Sequence, residues 1–240
     1  MKDKHLPSHK QQVLAQLQQQ LERFSLDRRG GEVVVSTGCQ ELDQTLPQKG
    51  LCRGTLVEWL APGPGSGAGS LALAAAREAC RHGGPLVVID RAACFYPLAA
   101  VQSGVALDRL IVVRPENSAD EIWALDQSLR SPGVAAVLCW NERLAPRVGR
   151  RMQLAAEAAQ NIGLFVRPVT VRGDPCWADV RFLVTPLPSA GQRRLRVELL
   201  SLRGNSGRQT LDLELDDETG VVRLASTVAA TALARRAARG

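Results

Sequence analysis

Between residues 57 and 79 the chain reads VEWLAPGPGSGAGSLALAAAREA: an apolar run, a loop with glycine at 63, 65, 67 and 69, and an alanine-rich segment. That succession predicts a strand, a tight loop and a helix. Glycine at alternate positions lets the backbone reach positive φ and turn its N–H groups toward an anion, at the positive end of the helix that follows. A phosphate-binding loop of the form G-x-x-x-x-G-K-[ST] adds a lysine for the charge and a hydroxyl for Mg²⁺. Against that template Pro62 replaces the first glycine, Gly67 is kept, Ala68 stands for the lysine and Gly69 for the Ser/Thr, with Ser70 one position late. The degenerate phosphate loop thus comprises Gly63, Gly65, Ser66, Gly67, Ala68, Gly69 and Ser70. Losing one partner of a desolvated charge pair costs about 2–5 kcal/mol. The residues therefore predict no catalysis and no cofactor; the loop is a purely structural turn or at most a weak nucleotide or anion binder through its backbone.

The rest of the chain supplies a fold for that loop. Apolar runs at 85–90 (PLVVID), 110–115 (LIVVRP), 133–140 (GVAAVLCW) and 163–171 (GLFVRPVTV) alternate with helical segments, among them 118–131, 147–162 and a short one ending at Gly104. Ser118 with Glu121 has the form of a capping box at the start of the first of these. Buried strands alternating with helices predict an α/β fold with a mostly parallel central sheet flanked by helices. From 178 to 225 the pattern changes to polar–apolar alternation broken by turns, which predicts antiparallel strands at the C-terminal edge of that sheet. Ahead of the sheet, residues 8–24 form an amphipathic helix with Leu14, Leu17, Leu21 and Phe24 on one stripe, suited to docking. The expected organisation is an N-terminal helix and linker over 1–31, a core over 32–225 and a basic tail over 226–240.

Only nine of 240 residues are aromatic, so the core is built of Leu, Val and Ala, and Trp59, Trp123 and Trp140 sit in apolar runs that predict burial. Six scattered cysteines without a C-x-x-C pair predict reduced thiols, and three histidines at 5, 9 and 82 make no metal-ligand spacing with them. No metal site is expected. The N-terminal stretch has no apolar h-region and no segment nears 18 uninterrupted apolar residues, so the expectation is a cytoplasmic protein that neither crosses nor enters a membrane. A net charge of +6 favours an anionic partner such as DNA. Candidate contacts for DNA or a protein are Arg143, Arg147, Arg150 and Arg151 on one helix, Arg193 and Arg194 with Arg196, Arg203 and Arg208 around a strand pair, and Arg235, Arg236 and Arg239 in the tail. No aromatic stands beside them to stack on bases.

The order of motifs from residue 34 onward resembles the RecA ATPase core. Ser36-Thr37-Gly38, Leu42-Asp43, Gly50-Leu51 through Gly54 to Glu58, and then the glycine loop follow one another as in that core. The resemblance implies a RecA-like fold over roughly residues 8–225. It also implies where the catalytic groups would fall: the water-activating glutamate on Ala92, the Walker B aspartate on Trp140, and the nucleotide-sensing polar pair on Arg167-Pro168. A RecA-like chain of this length, with an eroded loop and a basic extension, is similar to the ImuA family. That likeness implies a non-catalytic adaptor of the SOS response. Its implied partners are an ImuB-like Y-family polymerase homologue and an error-prone replicative-type polymerase, with DNA and RecA-like self-association as further contacts. Two other readings stay open: a weak RecA-type ATPase forming filaments, and a protein-only regulator of a polymerising partner such as a cell-division inhibitor.

Overall fold

Strands and helices alternate as the apolar runs dictate. In chain order they are β1 (Val34–Val35), α1 (Gln40–Gln44), β2 (Leu51–Cys52), β3 (Leu56–Ala61), α2 (Ala68–Arg81), β4 (Leu86–Ile89), α3 (Pro97–Gln102), β5 (Leu110–Val113), α4 (Ser118–Arg130), β6 (Ala136–Trp140), α5 (Pro146–Ala159), β7 (Ile162–Pro168), β8 (Val180–Leu187), β9 (Arg193–Leu202), β10 (Thr210–Leu215) and β11 (Val222–Leu224). The structure, a computed structural model, describes residues 33–142, 144–189, 191–202 and 209–225, and those from Val34 onward make one compact unit. The expected docking helix with Leu14, Leu17, Leu21 and Phe24, the tail arginines 235, 236 and 239, and Arg143, Arg203 and Arg208 lie outside the described residues.

Nine strands form one sheet in the order β11-β10-β9-β8-β3-β7-β6-β4-β5, while β1 and β2 pair separately. From β8 to β5 every neighbouring pair is parallel; β8, β9, β10 and β11 pair antiparallel. This is the expected parallel sheet with an antiparallel edge. Parallel pairing demands crossovers, and the helices that supply them cover both faces. Val57, Trp59, Val88 and Leu138 pack toward the alanine-rich α2, and Leu56, Val87, Val137 and Phe165 pack toward α4 and α5. Trp59 stacks on its register partner Phe182 at 4.6 Å, which anchors β3 to β8. Small residues on α2 let it lie close to its neighbours: a Cβ on Gly38 would stand only 2.9 Å from that of Ala74.

Three expectations need correction. The run LIVV of β5 is not buried, because β5 is the last strand of the sheet and Ile111 is 48% exposed. Helix α4 is capped by Asn117, whose side chain accepts from Asp120 N at 2.9 Å, and Glu121 turns away to pair with Arg91 at 2.9 Å. Trp123 is 65% exposed on the outer face of α4 rather than in the core. Of the described cysteines, Cys39, Cys52, Cys80 and Cys139 are buried, Cys176 half-buried and Cys94 exposed. No described helix is long and apolar enough to cross a membrane.

Candidate functional site

The glycine loop lies where β3 ends and α2 begins, at the carboxyl edge of the parallel strands, the place where open α/β sheets hold ligands. Gly65 and Gly67 take positive φ of 74° and 91°, and Gly67 is the N-cap of α2 in a left-handed conformation with no side-chain cap. Gly63 and Gly65 are open: a Cβ on either would meet nothing within 4 Å. Ser66, Gly67 and Ala68 are buried, whereas Gly69 and Ser70 are half-buried.

What covers the loop is side chain. A Cβ on Gly67 would stand 2.6 Å from both δ-carbons of Leu195, which reaches over from β9. On Gly69 it would stand 3.4 Å from Cζ2 of Trp140, so the indole at the end of β6 lies against the backbone that follows Ala68. Phe95 supports that indole, with ring centroids 5.7 Å apart. Phe95 is held in turn by Asp90: one carboxylate oxygen accepts from Cys94 N at 2.9 Å and the other from Phe95 N at 3.2 Å. The acid that directly follows β4 thereby fixes the turn containing Ala92, which is exposed. Arg114 lies 3.5 Å from the same carboxylate. Burial, then the adjacent Asp90, raises the Cys94 thiol above its ordinary range.

The arginine candidates separate. On α5, Arg150 lies over the Trp177 ring at 4.9 Å and donates to Gln153, Arg151 pairs with Asp126 at 3.2 Å, and Arg147 is exposed. On β9 the positive charges meet acids. Arg193 pairs with Asp217 at 2.8 Å, Arg194 with its register partner Glu214 at 3.4 Å, and Arg196 with its register partner Asp212 through two bonds of 2.8 and 2.9 Å. The structure thus brings the loop residues and Trp140 together, and keeps the two arginine sets on different elements. No group of three or more metal-ligating side chains occurs among the described residues.

A second constellation escaped the sequence reading. Glu58 of β3 accepts from Arg167 at the end of β7 at 2.8 Å and from Nε of Arg181 on β8 at 2.8 Å; Nη2 of Arg181 is also 2.8 Å away, off the line of a hydrogen bond. The three side chains are only 4–6% exposed. In the sequence Glu58 stands only as a landmark of motif order. The available signal was a lone acid inside the otherwise apolar strand LVEWLA. Cys176 adjoins this group, its thiol pushed up to about 11 by burial and then by the charge of Glu58. Burial likewise pushes the thiols of Cys39 and Cys80 up to about 11.

Comparison with known proteins agrees with the topology. Residues 11–156 match the family model described as the RecA N-terminal domain. Protein RecA of Rhodopirellula baltica is 34% identical over 104 residues, which cover 43% of this chain and 28% of that protein. Protein RecA of Acidiphilium cryptum is 29% identical over 161 residues, covering 65% and 46% respectively. The chain therefore spans less than half the length of these curated relatives. A crystal structure of the RadB recombinase superposes with a TM-score of 0.63 at 17% identity, covering 80% of this chain and all of the other, which shows the shared fold. With more than half of its residues matched, the chain belongs to the RecA N-terminal domain family.

Proposed function

We propose that this chain is a non-catalytic RecA-like adaptor of the bacterial DNA-damage response. It supports error-prone translesion synthesis by binding a Y-family polymerase homologue and, with it, an error-prone replicative-type polymerase. Family membership supports the link to DNA transactions, and the likeness to ImuA supports the narrower role. The observation that carries the non-catalytic part is the packing of Trp140 on Gly69 and of Leu195 on Gly67. The backbone next to the missing lysine and hydroxyl is occupied by carbon, so neither the γ-phosphate charge nor Mg²⁺ has a counterpart there. Asp90, a nearby acid, is engaged by backbone N–H groups of the 94–95 turn.

Because the described β9 arginines and Arg151 face acids, DNA or partner contact falls to the exposed Arg147 on α5 and to the basic tail. The deciding experiment is equilibrium binding of labelled ATP with Mg²⁺, alongside a turnover assay. The adaptor reading expects no turnover and at most weak binding; micromolar affinity with hydrolysis would sink it. The partner half is tested by co-purification of the full chain with the polymerase homologue encoded in the same genome. Salt-dependent DNA binding with a steep slope would count phosphate contacts and argue against a regulator that works on protein alone.

A further inference from the structure

Strand β5 ends the parallel side of the sheet, and among the described residues only β4 pairs with it. Open edges are ordinarily blunted by a charge, a proline or a bulge, because their free N–H and C=O groups are a template for another chain. The run Leu110-Ile111-Val112-Val113 carries none of these, and its brevity is its one guard. The opposite edge, β11, carries Arg223. All residues of β5 are at least partly exposed. Five of the ten exposed large apolar side chains among the described residues, Tyr96, Leu98, Val101, Leu107 and Ile111, fall in this part of the chain, so apolar exposure concentrates around this edge. Ala99 and Ala100 of α3 pack into the cluster that Leu110 and Val112 adjoin, which places the exposed Leu98 and Val101 on that side of the sheet.

The ladder with β4 determines which backbone groups are free. Asp90 N donates to Val113 O at 2.9 Å, and Val113 is the register partner of Ile89. Alternate residues of a parallel strand direct both backbone groups to the same side, so Ile111 and Val113 face β4 while Leu110 and Val112 point outward. We propose that β5 is the interface of a two-fold symmetric dimer, in which it pairs antiparallel with β5 of a second copy of this chain about an axis through Ile111. In that register Leu110 of each copy meets Val112 of the other, each pair exchanging both N–H···O bonds, and the two copies of Ile111 form the non-hydrogen-bonded pair, where side chains come closest. The same register sets Asp108 against Arg114 of the second copy on both sides of the axis. Asp108 is exposed in the 3₁₀ turn before β5 and makes no salt bridge among the described residues. Arg114 is 56% exposed. A slip of two residues either way keeps the outward groups matched but sets Arg114 against Leu110 or Asp108 against Val112, so charge selects the register. Such a contact is isologous and closes at two copies. It stands independently of the adaptor reading, since neither the glycine loop nor a polymerase takes part.

Sedimentation velocity of the full chain over a concentration series tests it. The expected result is a reversible monomer–dimer equilibrium that stops at two. Ile111→Lys puts like charges at the closest pair and should weaken the dimer by at least about tenfold. Asp108→Arg and Arg114→Asp each set like charges against one another twice, and each should weaken self-association by about tenfold. Mixing D108R with R114D restores an opposite-charge pair on both sides of the axis, so the mixture should dimerise as well as wild type. A wild-type chain still monomeric at about 100 μM overturns the proposal. Open-ended polymers overturn it too, as does an I111K chain that dimerises like wild type or a mixture that associates no better than its components. Circular dichroism checks that each variant folds. Should R114D fail to fold, D108R decides alone, and undiminished dimerisation there overturns the proposal.

Discussion

Replacing Glu58 by glutamine keeps the shape of the side chain and deletes its charge. Two guanidiniums, 4% and 6% exposed, then face each other with one neutral acceptor between them. Breaking a buried ion pair by removing one partner costs about 3–5 kcal/mol, because the charge left behind is neither solvated nor paired. For a chain of this size each kcal/mol corresponds to about 2–4 °C, so E58Q should lower the melting temperature by about 6–20 °C. The triple variant E58M/R167M/R181M removes all three charges together, and its expected stability is within about 1 kcal/mol of wild type or above it. Thermal unfolding followed by tryptophan fluorescence measures both, with the fully buried Trp59 on the opposite face of β3 as a reporter of the core. An E58Q cost under about 1 kcal/mol, or a triple variant as damaged as E58Q, would refute the account of a buried triad held together by charge pairing.

Other outcomes follow from single contacts. Gly67→Ala combines a left-handed φ of 91° with a clash at 2.6 Å against Leu195, and should cost about 2–4 kcal/mol by thermal melting. Trp140→Ala removes a half-buried ring from Gly69 and Phe95; about 2 kcal/mol should be lost, and titration with Mg-ATP should show no gain in affinity because residues 68 and 69 are unchanged. Arg196→Ala breaks an exposed pair and should cost under about 1 kcal/mol at neutral pH. Since the Arg196 hydrogen bond holds the Asp212 pKa below its ordinary value of 3.8, that contribution is present above 3.8 and lost as pH falls through the depressed value, so acid unfolding of the two proteins should converge there. Cys94, exposed yet with a raised thiol pKa, should be the first described cysteine alkylated by iodoacetamide, but more slowly at pH 8 than a free cysteine in solution, as peptide mass spectrometry can follow.

How far the sequence announces this molecule depends on the range of the interaction. Strands β4, β6 and β7 are legible because apolar runs of strand length end at glycine, proline or polar residues. The β5 run has the same composition as its buried neighbours; only the strand order makes it an edge, and strand order is not local. Asn117 and Ser118 are both good caps, and the geometry of the preceding turn selects the first. Trp123 falls on the outer side of a helix whose buried face is carried by Glu121, Ala124, Leu125 and Leu129, so an apolar-looking window misplaced it. Ala68, Gly69 and Trp140 stand where the RecA resemblance implies lysine, hydroxyl and aspartate, yet nothing local says that an indole packs beside Gly69. The triad is hidden for a plainer reason. Its partners lie 109 and 123 residues from Glu58, and no periodicity connects residues that meet only through sheet order.

Trp140 against Gly69 also bears on what it would take to install a lysine-bearing phosphate loop here. Lysine introduced at 68 would enter a fully buried position. The Cβ of a hydroxyl residue at 69 would meet indole carbon at 3.4 Å, an ordinary contact that the packing accepts. Aspartate at 140 would uncover Phe95 and gain no cation in exchange. The changes at 68 and 140, taken alone, lose packing before either restores chemistry, so such a loop asks for concerted replacement of several residues. Interlocking contacts of this kind act as a ratchet on the history of a fold.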